Sequence, residues 1–210
     1  MLNIFARASI SKALKLNPLG VRLARAGVTP DAITVVGTLG AVAGALIFFT
    51  QGHFFVGTLV IWFFVMLDMV DGAVARAGKG SSPFGALLDS TCDRVADGAL
   101  FGALAWWFAT DGDRDSLLLA SLLCLVFGAV TSYIKARAEG LGMTCNVGIA
   151  ERAERLIVAL VGTGLDGLGV PYVQAVALWL LVAATGITVI QRLAEVKRQS
   201  VALPVADASR

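Results

Sequence analysis

Two stretches, 32–50 and 116–134, each run for 19 residues without a charged side chain. At about 1.5 Å per residue, either forms a helix about 28 Å long, which crosses the hydrocarbon of a bilayer unaided. Residues 170–190 are also uncharged, and Pro171 suits a first helical turn. A soluble fold would have to cover three such helices with polar surface. Only 15% of the 210 residues are charged and 57% are hydrophobic, where an ordinary soluble domain carries about 25% charged residues. A disulfide-stapled secreted scaffold, a disordered chain and an ordinary cytosolic enzyme are excluded. Cys92, Cys124 and Cys145 stand singly, without zinc-type or redox spacing, and read as small buried apolar residues.

Three further segments are apolar but interrupted. Residues 54–76 contain Asp68 and Asp71, residues 85–110 contain Asp89, Asp93, Arg94 and Asp97, and 155–168 is short with a cationic start. Six spans put the loops 51–53, 110–116 and 166–171 on one side of the membrane, and both termini with 77–84 and 136–151 on the other. Of the 17 Lys and Arg, only Arg114 falls on the first side. By the positive-inside rule the basic side is cytoplasmic. Ahead of the first span, Arg7, Ser11 and Lys15 recur beside an apolar stripe of Ala6, Ile10 and Leu14, the pattern of a basic amphipathic helix lying on the inner leaflet. No apolar signal-peptide core occurs there. Thr29-Pro30-Asp31 then reads as an N-cap, a proline at N1 and an acid in the first turn.

The expected fold is therefore all-α: a polytopic membrane protein with six transmembrane helices preceded by an N-terminal amphipathic interfacial helix. The expected organisation is an interfacial segment at 1–28, a six-helix domain at 29–199 and a mobile tail at 200–210. The expected location is the inner (plasma) membrane, with both termini and the working site cytoplasmic. Membrane lipids are the expected surroundings, and the charge pattern calls for no nucleic-acid partner.

The interrupted spans carry the chemistry. Asp68 and Asp71 are three apart on one helix, and Asp89 and Asp93 are four apart on the next, so each pair shares a face. Counted from the outer ends, Asp68 lies about 21 Å in, Asp71 and Asp93 about 26 Å, and Asp89 about 32 Å. All four then sit near one level on the cytoplasmic side of a layer about 30 Å thick. Carboxylates gathered out of water repel one another unless protonated or bridged by a cation. Oxygen donors without His or thiolate favour Mg²⁺ or Mn²⁺ over zinc, as one ion or two. Asp97, one turn beyond Asp93 and deeper, reads as a pairing residue for Arg94 or for a basic residue on another helix.

The pattern Asp68-x2-Asp71-Gly72-x2-Ala75-Arg76-x8-Gly85-x3-Asp89-x3-Asp93 resembles, at every specified position, the signature of the CDP-alcohol phosphatidyltransferases. The segments Ser132-x2-Lys135-Ala-Arg137-Ala-Glu139 and Glu151-Arg152-Ala-Glu154-Arg155 look like the branch of that family that makes phosphatidylinositol phosphate in actinobacteria. The resemblance implies a six-helix homodimer that moves the phosphatidyl group of CDP-diacylglycerol to inositol 1-phosphate and releases CMP, with two Mg²⁺ ions, Mn²⁺ being an alternative. It implies that Asp68, Asp71 and Asp89 are metal ligands, with Asp93 beside the second ion as general base. It also implies that Gly72, Ala75 and Arg76 receive the nucleotide and its phosphates, and that Asp31, Ala32, Ile33, Thr34 and Ser82 hold the cytidine and ribose.

Ser132, Lys135, Arg137, Arg155 and Arg192 form the expected pocket for an acceptor phosphate. Arg155 is the most deeply placed of these cations, about 20 Å from the outer end. Gly37, Gly40 and Gly44 in the first span and Gly98 and Gly102 in the third are small-residue stripes, which fit close packing within one protomer as well as dimerisation. Two other activities share parts of the pattern. A phosphatidylglycerophosphate synthase has the same nucleotide motif and takes glycerol 3-phosphate, and a divalent-cation transporter needs acids along a route through the membrane.

Overall fold

The computed structural model describes residues 29–77, 82–111 and 114–202, and of 68–77 and 202 the backbone only. The expected interfacial helix in 1–28 and the tail from 203 lie outside the described residues. Those described form six helices and no strand: α1 (Pro30–Phe48), α2 (Phe54–Ala77), α3 (Pro83–Thr110), α4 (Asp115–Gly140), α5 (Arg152–Asp166) and α6 (Val173–Ala202).

Local sequence explains the boundaries. Thr29 Oγ1 accepts a hydrogen bond from the Ala32 amide at 3.2 Å, Pro30 opens the first turn and Asp31 follows it, as expected. Ser82 starts α3 with the same device, its Oγ accepting from the Gly85 amide at 2.9 Å ahead of Pro83. The last helix departs from expectation at both ends. It begins at Val173 rather than Pro171, because Tyr172 has a φ of 61°, a left-handed conformation that no helix interior tolerates. It continues through Ala202, so the first residues of the expected tail are helical.

Each helix packs chiefly against two others, in the order α1, α2, α5, α6, α4, α3 and back to α1, which closes a ring. Towards the ends near Gln51, Thr110 and Asp166 the interior is apolar, with Phe49, Ile61, Leu104, Phe108, Leu160 and Leu178 at most 2% exposed. The outward faces are apolar too: Leu39, Phe63, Trp106, Val126, Ile157 and Leu180, one from each helix, are exposed. An apolar surface on every side of the ring suits lipid rather than water. Three helical segments, Pro30–Gln51, Asp115–Gly140 and Val173–Val201, are long and apolar enough to cross a bilayer, and the apolar part of α2 is Phe54–Leu67. This is a membrane protein.

Helix α5 has 15 residues, about 22 Å, and is too short to match its neighbours. The segment before it, 141–151, makes up the length by descending along the extended end of α6. The Gln199 amide accepts from the Thr144 N–H at 3.0 Å and donates to the Thr144 carbonyl at 2.6 Å. Arg192 Nε donates to the Val147 carbonyl at 3.0 Å, and Thr188 Oγ1 accepts from the Ala150 amide at 3.1 Å. Irregular backbone near membrane depth survives only where protein satisfies it, and three side chains of α6 do so here. Gly148 lets the segment lie this close: its φ is 139°, and a Cβ there would sit 2.5 Å from Thr188 Cγ2.

The two glycine stripes separate. A Cβ on Gly40 would fall 2.2 Å from the Phe64 ring, so the α1 stripe is filled by α2 of the same protomer. Gly98 and Gly102 of α3 have nothing within 4 Å among the described residues. Lipid is as apolar as a leucine side chain, so such close contacts, rather than water exclusion, hold membrane helices together. Gly162 on α5 meets a less yielding neighbour, its Cβ position being 2.4 Å from the Ala177 Cβ on α6. Gly162→Ala is expected to push α5 and α6 apart and to cost about 1–3 kcal/mol, a fall of roughly 2–10 °C in the unfolding midpoint. Gly98→Ala, the same change in open space, is expected to leave the midpoint of the protomer unchanged or raise it slightly, as followed by circular dichroism in detergent.

Candidate active site

Helices α1 and α3 start side by side, which brings two of the expected nucleotide residues together. A Cβ on Gly85 would lie 3.0 Å from Asp31 Oδ1 and 3.2 Å from Ser82 Oγ. One turn further along α1, the buried Thr34 borders an open cleft between α1, α2, α3 and α5, whose wall includes Phe64, Asp93 and Arg152. Thr34 Oγ1 donates to the Pro30 carbonyl at 3.2 Å. Ile33 is half-buried and Ala32 exposed.

Asp89 and Asp93 lie one turn apart on α3, both half-buried. Asp68 and Asp71 follow Phe64 along α2 by one and two turns, in the stretch where only the backbone is described, as are Gly72, Ala75 and Arg76. Among the described residues no three His, Cys, Asp or Glu side chains gather. The donor set nevertheless fits a hard divalent cation. Its described members are carboxylates at one-turn spacing, Asp93 borders the cleft, and α2 enters the same cleft just before Asp68.

Beside Asp93 stands a cluster of charge. Arg152, at the start of α5, spans two acids of α3, with Nη1 2.8 Å from Asp93 Oδ1 and Nε 3.2 Å from Asp97 Oδ1. Arg94 Nη2 lies 3.3 Å from Asp97 Oδ2, and Arg94 Nη1 donates to Ser132 Oγ on α4. Arg155 is 4% exposed. Its Nη1 donates to the Ala150 carbonyl at 3.1 Å and to Thr131 Oγ1 at 3.4 Å, while Nη2 lies 3.6 Å from Asp97 Oδ2. That Nη2 makes no hydrogen bond among the described residues, although it is buried.

The ring thus joins several of the expected acceptor residues and leaves others aside. Ser132 and Arg155 meet the cluster. Lys135, one turn along α4 from Thr131, lies 4.0 Å from Glu139, and Arg137 is exposed. Arg192 is buried, and two of its nitrogens donate to backbone carbonyls, those of Val147 and Thr131.

The family is settled by comparison with known proteins. Residues 27–190 match the sequence model of the CDP-alcohol phosphatidyltransferases. The chain belongs to that family. It is 47% identical to a phosphatidylinositol phosphate synthase of Streptomyces avermitilis over 216 residues, covering 100% of this chain and 88% of that one. It is 52% identical to one from Mycobacterium marinum over 181 residues, covering 84% and 77%. Among solved structures it is similar to the Mycobacterium tuberculosis phosphatidylinositol phosphate synthase (PgsA1) with CDP-DAG bound, at a TM-score of 0.83 and 47% identity over 86% of this chain and 92% of that one. The same enzyme in complex with manganese and citrate gives 0.82 over 87% and 88%. Membership makes this phosphatidyltransferase a membrane enzyme.

Arg152 is the cluster residue that the sequence reading quoted in the segment 151–155 but did not place in the site. The signal lay in its spacing of three from Arg155, which puts both guanidiniums on one face of α5, opposite the one-turn pair Asp93 and Asp97. Arg192, expected at the acceptor phosphate, donates to two backbone carbonyls. Arg192→Ala removes both of these charged hydrogen bonds, which tie α6 to α4 and to the segment 141–151, and is expected to destabilise the protein by about 2–4 kcal/mol. Limited proteolysis would then cut within 141–151, and a variant as resistant as wild type would contradict this structural role.

Proposed function

We propose that this chain transfers the phosphatidyl group of CDP-diacylglycerol to inositol 1-phosphate, forming phosphatidylinositol phosphate and releasing CMP. The observation that carries the choice of acceptor is the buried Arg155 Nη2, a charged donor left without a hydrogen bond next to Asp93's ion pair. Three guanidiniums against the two carboxylates of Asp93 and Asp97 leave one positive charge in excess, which suits a second phosphate and not a neutral alcohol. The names of the relatives at 47% and 52% identity point the same way.

In this reading Asp31, Thr34 and Ser82, at the paired starts of α1 and α3, hold the cytidine and ribose, with Ala32 and Ile33 presenting backbone. Gly72 and Ala75 keep the helix slim enough for the nucleotide to approach, and Arg76 binds its phosphate. Asp68, Asp71, Asp89 and Asp93 hold two divalent cations, Mg²⁺ or Mn²⁺, which when bound neutralise charge on the pyrophosphate and on the departing CMP. Arg155, with Ser132 and Lys135, seats the acceptor phosphate, while Arg137 draws anions to the rim and Arg192 stiffens the wall. So placed, the acceptor hydroxyl directs its lone pair at the phosphorus carrying diacylglycerol. Asp93 takes the hydroxyl proton as the new P–O bond forms and the bond to CMP breaks. The cytoplasmic face of the inner membrane suits this chemistry, all six helices spanning and the basic loops on the nucleotide side. The uncovered Gly98 and Gly102 strip of α3 supports a homodimer.

A cation transporter fits less well, because the apolar filling around Phe49, Leu104, Phe108 and Leu178 blocks the outer half of the ring. Glycerol 3-phosphate carries the same charge as inositol 1-phosphate and is the competing acceptor. Purified protein with CDP-diacylglycerol and Mg²⁺ is expected to release CMP on addition of inositol 1-phosphate and to stop when EDTA removes the metal. Release with glycerol 3-phosphate alone would replace the acceptor, and no release with either would reject the reading. Asp93→Asn is expected to lower turnover by at least about 10³-fold while CDP-diacylglycerol still binds. Retained turnover would remove Asp93 as the base.

A further inference from the structure

Asp97 lies outside the family signature and one turn past its last acid, yet it meets three cations. Its Oδ1 faces Arg152 Nε at 3.2 Å, and its Oδ2 faces Arg94 Nη2 at 3.3 Å and Arg155 Nη2 at 3.6 Å. The side chain is 12% exposed, so these contacts are shielded from water. We propose that Asp97 is the positioning residue of the acceptor pocket, the shared anion that aims Arg155 at the acceptor phosphate and keeps Arg152 from closing onto Asp93.

The argument is one of competition. Arg152 divides its guanidinium between two acids, Nη1 on Asp93 at 2.8 Å and Nε on Asp97. A planar guanidinium prefers to grip one carboxylate with two nitrogens, and it would take Asp93 this way if the second acid were neutral. Asp93 would then be engaged on the edge that has to receive a proton. Arg155 loses more. Its other partners are the neutral Thr131 hydroxyl and Ala150 carbonyl, both reached through Nη1. Asp97 is therefore the acid nearest Nη2, the nitrogen left for a ligand. Arg94 is drawn to the same carboxylate and to Ser132, so the three cations remain together despite their repulsion.

This inference rests on the proposed phosphorylated acceptor, and the test separates the two. Wild-type enzyme is first assayed with inositol 1-phosphate and with glycerol 3-phosphate, which decides the acceptor. The KM for whichever acceptor reacts is then compared with the KM for CDP-diacylglycerol in Asp97→Asn and Asp97→Glu. The expected result for Asp97→Asn is an acceptor KM raised about 10-fold or more with the CDP-diacylglycerol KM within about 3-fold of wild type. The thermal stabilisation that the acceptor confers should be lost, and that from CDP-diacylglycerol kept. Asp97→Glu retains the charge at a different reach and should fold, with an acceptor KM between the two. If Asp97→Asn lowers only the unfolding midpoint and both KM values stay at wild type, Asp97 is a structural ion-pair partner and the proposal is overturned. Should Asp97→Asn fail to fold, a wild-type acceptor KM in Asp97→Glu overturns it equally.

Discussion

A guanidinium cannot be left unpaired at membrane depth, and Arg155 sits inside this ring at 4% exposure. Satisfying it draws in two other helices and the segment ahead of its own. Asp97 from α3 supplies the opposite charge, Thr131 from α4 a hydroxyl, and Ala150 from the segment ahead of α5 a carbonyl. The same Thr131 lends its carbonyl to Arg192 of α6. Exchanging Arg155 for an apolar residue would take from Asp97 one of its three cations and leave the Thr131 hydroxyl only its bond to the Gly128 carbonyl. The polar half of the protein is therefore organised around a charge whose burial is costly, and a site that must bind a phosphate is one place where that cost has a return.

The remaining half of the ring follows membrane rules. With lipid outside and apolar side chains inside, water exclusion gains nothing, so the contacts depend on how closely backbones approach. Gly40 against Phe64 and Gly162 against Ala177 are such approaches. The apolar filling near Phe49 and Phe108 closes the ring on one side, and the cleft at Thr34 and Asp93 lies towards the other. A cleft so placed suits a substrate that enters from the membrane surface and a product that leaves to it.

Much of this was legible from sequence because charge is scarce in it. The uncharged stretches 32–50 and 116–134 fall inside α1 with its following turn and inside α4, and the cap at Thr29 appears where its side-chain chemistry puts it. Asp97 was legible as a pairing residue, since a deep acid needs a cation. Arg94, one turn away on the same helix, was legible as a partner; Arg152 and Arg155 were not, because they depend on how α5 is set against α3, and the shortness of α5 is made good by an irregular segment with no periodicity to read. The backbone partners of Arg192 were hidden for the same reason: a cation near a helix end gives no sign that an irregular segment passes beside it. The start of α6 was missed by two residues because Pro171 fits a helix start on its own, whereas Tyr172 adopts a conformation that propensity does not foresee.

The arrangement of the acids along α3 bears on rate as well as binding. Asp93 and Asp97 are four residues apart, about 6 Å along one rigid helix. The proposed base therefore stands at a fixed distance from the proposed orienter of the acceptor phosphate. Attack requires the hydroxyl oxygen to approach the phosphorus to about 3–3.5 Å in line with the departing group, and a loose acceptor would spend most of its time elsewhere. By carrying both groups on one helix, and the answering arginines on one face of α5, the fold turns a problem of two independent ligands into one of helix register. Motion of α5 against α3 would disturb the acceptor and the base together. The ties from α6 to the segment 141–151 restrain that motion at the end of α5 that carries Arg152 and Arg155.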